Sequence, residues 1–156
     1  MPVLVGQVLA ATLSDFDSKE DLITAVLTEA RRRESALLAG YTAAGDVPPA
    51  DLIRAIWLWA SAPDRSKFLR LFFELYVQAL SGPAEYADRA RAMVTDWLGP
   101  LSSVLSADSA LADPASATLL IAVLRGLLLD QLNTGDVART TQALEHFLTL
   151  AGSGER

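Results

Sequence analysis

Catalysis and metal binding need titratable or nucleophilic side chains in groups, and this chain of 156 residues has one histidine, His146, and no cysteine. A zinc site takes three or four ligands, and His146 has no second histidine and no thiolate to join it. It is therefore read as a surface or interface residue, with no metal and no cofactor assigned. A Ser-His-Asp arrangement on His146 would need remote serines such as Ser102 or Ser103 to converge on it, and no glycine-flanked nucleophile elbow is present. No catalytic residue is assigned, and the chain is not expected to be an enzyme.

The aromatic residues point to binding instead. Trp57, Phe68, Phe72, Tyr76, Met93 and Trp97 fall on three consecutive predicted helices. Ligand sites are apolar concavities lined by such side chains with a few polar anchors. Core packing accounts for each of them singly; together they predict a small apolar or aromatic ligand. Glu74 lies on a polar stripe with Arg70 and Gln78, at four-residue steps. An i, i+4 pair with Arg70 is the plain account, and an anchor for the ligand, shared with Gln78, is the functional one. Arg31, Arg32 and Arg33 fan around a helix by about 100° per residue, so they cannot all face one phosphate groove and read as a solvated collar. A formal net charge of −6 disfavours wholesale attraction to phosphate backbones. Any DNA contact must be local.

These residues are carried by helices. The chain is 51% hydrophobic and 21% charged, a composition for a compact globule rather than a disordered segment. Its apolar residues recur at helical spacing almost throughout, with Pro and Gly falling between the periodic runs, so the fold is expected to be all-α with about seven helices. A short helix is expected in the first 15 residues. Ser18 then caps a long helix with Glu20 and Asp21 in its first turn, running to about residue 41. Leu52 to Ala60 form the next helix, ending before Pro63, with Ser61 placed to cap its successor. From Asp64 to Leu80 the pattern is apolar nearly all round, which predicts a central helix surrounded by others. A further helix from Tyr86 to Leu98 is kinked or ended at Gly99 and Pro100.

The last two helices are the most clearly signalled. Asp113 and Pro114 form a cap with proline in the first helical position. One helix runs to Asn133, Thr134 to Asp136 make a turn, and another runs from Val137 to Ala151, closed by Gly152. Leu120, Val123, Leu124, Leu127, Leu128 and Leu132 face Val137, Thr140, Leu144, Phe147 and Leu148 in an antiparallel pair. Leu119, Ile121 and Leu129 lie around the first of these helices from that seam and require a second partner, either core or another subunit. The stretch Leu119 to Leu129 is interrupted by Arg125 and is shorter than the roughly 20 apolar residues of a membrane span, so no membrane is expected. No Lys or Arg precedes Lys19, which disfavours a signal peptide and leaves a cytoplasmic location as the expectation.

The segment Phe16-Asp17-Ser18-Lys19-Glu20-Asp21-Leu22 resembles the end of the DNA-binding domain of TetR/AcrR-type transcriptional regulators, where an aromatic turn leads into the long connecting helix. Phe68 to Glu74, Asp96 to Leu101 and Gly126 to Gln131, in that order, resemble the regulatory domain of the same family. The resemblance implies a ligand-binding and dimerisation helical bundle over residues 18–151, a remnant of the helix-turn-helix domain over 1–17 and a tail at 152–156. It implies a repressor that senses a small hydrophobic effector, with operator DNA as a further partner. The implied site residues are Trp57, Phe68, Phe72, Glu74, Tyr76, Met93 and Trp97 for the ligand. Leu119, Ile121, Leu129, Asp130, His146 and Phe147 are implied at a homodimer interface, and Lys19 at DNA. The chain departs from the family at its start. Only fifteen residues precede Phe16, and Gln7 to Ala11 stand where groove-reading polar and basic residues are usual. The head is thus expected to be truncated or degenerate, and the alternative reading is a headless homodimer or a mixed-dimer partner that binds no DNA.

Overall fold

The structure, a computed structural model, describes residues 47–81 and 113–153 together with 25, 28, 29, 32, 35, 36, 39, 40, 88, 91 and 92. Among the described residues every regular element is helical and there is no strand. By its contacts the chain divides into two compact units, Met1–Ala43 and Ala44–Arg156. In the first, Ala25, Thr28, Glu29, Arg32, Ser35, Ala36, Ala39 and Gly40 are helical, and the Arg32 guanidinium donates to Glu29 at 2.8 and 2.9 Å one turn away. Phe16 to Leu22, with the Ser18 cap, Lys19 and the predicted boundary at residue 17, lies outside the described residues.

In the second unit, α1 (Pro49–Ala60) begins with proline in its first turn, where a missing N–H costs nothing, and carries Asp51 at its positive end. Leu52, Ile53, Ile56, Trp57 and Ala60 recur at three and four and are all buried. The helix stops ahead of Pro63. Ser61 does not cap the following helix: it closes α1, its N–H donating to the Trp57 carbonyl at 2.8 Å. A 3-10 turn, Pro63–Arg65, comes next, so the helix expected from Asp64 starts as α2 at Ser66 and runs to Ser81. Arg65 stacks over Trp59, 4.8 Å from the ring centroid.

The chain places α2 less centrally than its all-round apolar pattern predicts. Leu69 and Phe72 are buried, Phe68, Leu71, Phe73 and Tyr76 are half-buried, and Val77 is 59% exposed. The more complete burial belongs to α1 and to α3 (Pro114–Thr134), whose inner face is Ala117, Leu120, Ile121, Leu124 and Leu128. A periodic pattern reports how many faces are apolar, not which of them finds a neighbour.

Asp113 caps α3 as expected, its side chain accepting from the N–H groups of Ala115 and Ser116 at 2.9 and 3.2 Å. Gly135 ends the helix with φ of 71°, the left-handed conformation a side chain resists. The chain returns at once in α4 (Val137–Ser153), which includes Gly152 instead of ending before it. Leu144 and Leu148 bury against α3, and Thr140, fully buried, turns its hydroxyl to the Asp136 carbonyl at 3.0 Å. The hairpin register follows from Thr140 to Gln131, 3.3 Å, and from the two-pronged pair of Arg139 with Asp130, 2.7 and 2.8 Å.

Candidate functional site

The hairpin has an inner and an outer side, and the outer side has an unusual composition. On α3 the residues opposite the buried face are Ala115, Thr118, Leu119, Ala122, Gly126, Leu129 and Asn133. On α4 they are Arg139, Gln142, Ala143, His146, Thr149 and Leu150. Leu119, Leu129 and Leu150 are 56%, 44% and 61% exposed. The ionisable residues among those of this face are Arg139 and His146. The nearby charges are spoken for. Asp130 and Arg139 pair at the turn end, and Glu145 points to α1, where Arg54 grips its carboxylate at 2.8 and 2.9 Å and also holds Asp51 at 2.9 Å. The Arg54 hydrogen bonds hold the Glu145 carboxyl below the ordinary carboxylate range, and those from Arg139 do the same for Asp130.

Leu119, Leu129 and His146 of the six expected interface residues are exposed on this hairpin. Asp130 and Phe147 are half-buried at its edge. Ile121 is 4% exposed, so of the two partners left open for it, its own core covers it.

The ligand-lining residues fall into two places. Phe68, Phe72 and Tyr76 make a row along α2, with centroid separations of 6.5 and 6.4 Å, Phe72 and Tyr76 lying within 13° of parallel. Phe73 meets Phe72 edge-on at 5.3 Å. Trp57 is elsewhere: it is buried on α1 and its indole N–H donates to the Thr141 hydroxyl of α4 at 3.0 Å. Glu74 is exposed, and Arg70, its expected partner, donates instead to the Leu132 carbonyl of α3 at 3.0 Å. The Gln78 side chain, Met93 and Trp97 lie outside the described residues.

One residue the sequence reading treated only as a break in an apolar run joins the aromatic row. The Arg125 guanidinium, half-buried on α3, lies 5.8 Å from the Phe72 centroid and 5.3 Å from that of Tyr76. A lone cation inside Leu119–Leu129 was the available signal, since a charge on so apolar a helix needs a partner. By length and composition α3 is also the one described helix fit to cross a bilayer; core helices pass that test equally, and Leu120, Leu124 and Leu128 are core here. Among the described residues there is no cluster of three or more metal-ligating side chains. In comparison with known proteins, no family model, no curated protein and no solved structure matches the chain.

Proposed function

We propose that the chain is the ligand-sensing, dimerising regulatory core of a TetR-like transcriptional regulator, acting as a repressor in the cytoplasm. The observation that carries this reading is the apolar outer face of the α3–α4 hairpin, whose one cation among the described residues, Arg139, is paired within its own subunit. In a chain with 21% charged residues, two adjacent helices exposing Leu119, Leu129 and Leu150 around small residues suit a protein partner. A second copy fits best, because Arg139 is already paired with Asp130 and Asp136 of its own subunit and the rest of the face meets its own image without like-charge repulsion. With 21 residues, α3 is about 31 Å long, and a strip two helices wide offers roughly 600 Å² per copy, about 1,200 Å² in all, the lower edge of a stable interface.

The ring row of Phe68, Phe72 and Tyr76 with Arg125 supplies apolar lining and one cation, which favours an apolar or aromatic small molecule as effector. Such a molecule acts only by preferring one arrangement of the core over another. Operator binding belongs to the helix-turn-helix of the resembled family and is the further step of the proposed role.

Sedimentation equilibrium at micromolar concentration tests the assembly, and a panel of aromatic and aliphatic small molecules in thermal unfolding tests the sensing. The expected results are a dimer and a rise in Tm with at least one compound class. A monomer, above all one that co-sediments with lipid vesicles, would overturn the proposal. A Tm unmoved by the whole panel would make the aromatic row solid core.

A further inference from the structure

The one histidine of the chain stands near the middle of the outer face of the hairpin. His146 is exposed and lies midway along α4, which spans Val137–Ser153. The Gln131–Thr140 contact fixes the heights on the two helices. Five residues back from Gln131 is Gly126 and six on from Thr140 is His146, so at 1.5 Å per residue the two sit at nearly the same level. Gly126 has open space where a Cβ would be.

We propose that His146 makes the dimer of this chain acid-labile: the two copies meet through the outer hairpin face with both histidines at its centre, assemble at neutral pH and separate in mild acid. This rests on the dimeric regulatory reading above and adds a control to it. In a two-fold contact the same patch serves both copies, so residues at its centre approach their own counterparts. Histidine is the side chain whose charge changes between pH 5 and 8. A protonated imidazole carried into this contact loses water and faces a second like charge, and both effects oppose the charged form. Both costs arise only in the contact, so protons bind the separated copies better and falling pH drives dissociation.

No described neighbour offsets that charge. On α4 the flanking residues Gln142, Ala143, Thr149 and Leu150 are uncharged, Glu145 is held by Arg54 of α1, which also binds Asp51, and Arg139 is tied to Asp130 and Asp136. On α3, Arg125 lies against the α2 rings. Because Arg54 and Arg139 hold the Glu145 and Asp130 carboxyls low, those pairs stay ionised at pH 5.5, and their state is common to both arms of a neutral-to-mild-acid comparison.

Sedimentation equilibrium of the full chain at pH 7.5 and 5.5 tests the proposal, with His146→Gln and His146→Lys beside it and circular dichroism confirming the fold of each. The dimer Kd should rise on the order of tenfold or more from pH 7.5 to 5.5, a penalty on two imidazoles. His146→Gln should remain dimeric at both, and His146→Lys should be weakened at both. A wild-type Kd equal at the two values, or a full acid response retained by His146→Gln, overturns the role of His146 and leaves the dimer standing. A wild-type monomer at pH 7.5 overturns the dimeric reading itself, and this proposal with it.

Discussion

Replacing Leu119 and Leu129 together by lysine separates the assembly from the fold. Both leucines point outward from α3, 56% and 44% exposed, so their still-accessible surface amounts to about one whole leucine per copy and two per dimer. Full burial of a leucine is worth roughly 1.5–3 kcal/mol, so the dimer should lose on the order of 3–6 kcal/mol of apolar association. That is a factor of roughly 10² to 10⁴ in Kd. Four lysines brought onto that face add repulsion in the same direction. Within one subunit the change is mild, since lysine and leucine have near-equal helix propensity and the long stem still covers its neighbours. Sedimentation equilibrium should therefore find the double variant monomeric where the parent is dimeric, while circular dichroism shows unchanged helix content. A variant that dimerises as tightly as the parent would refute the argument, because the outer face would then not be the contact.

Three further outcomes follow from the subunit itself. Leu144→Ala empties a fully buried position in the α3–α4 seam and should cost about 2–5 kcal/mol in urea unfolding. Gly135→Ala meets no atom within 4 Å, so its cost is confined to the left-handed backbone at φ 71° and should be roughly 1–2 kcal/mol by the same assay. The carboxyls of Asp113, Asp130 and Glu145 are held below their ordinary values, chiefly by hydrogen bonds from Ser116, Arg139 and Arg54 respectively. A carboxylate lowered in the folded chain stabilises it above the unfolded pKa and loses that contribution as pH falls through the folded one. These three groups should therefore add no slope to the subunit's urea midpoint between pH 8 and 6 and should contribute a decline below about pH 4. Asp113→Asn, which keeps a capping oxygen but cannot ionise, should soften that decline, and an unchanged acid limb would contradict the assignment.

Where helices begin and end was legible in the sequence because those signals are local. Asp113 and Pro114 at α3 and Gly135 at the turn act through the backbone of their own few residues, and the chain obeys them. Ser61 and Gly152 were misjudged for the same reason in reverse: a serine before a proline-led turn and a glycine near a helix end each fit two local roles, and neighbouring packing selects one. The inner face of the closing hairpin was equally readable, since period alone puts Leu120, Leu124 and Leu128 on one side.

What the sequence determined alone is thus a set of helices with their caps and stripes, and the expectation that the last two make a hairpin with apolar surface to spare. Tertiary structure decided how distant stretches share those stripes. It sent Trp57 to Thr141, 84 residues away, and Arg54 to Glu145, 91 away, and so removed the tryptophan from the aromatic row and drew the Glu145 carboxylate to α1. It also set Arg125 against Phe72 and Tyr76 and left α2 partly exposed. The physical reason is range: capping and periodicity act within a turn or two, whereas the choice of partner for each face depends on contacts between residues that only the folded chain brings together.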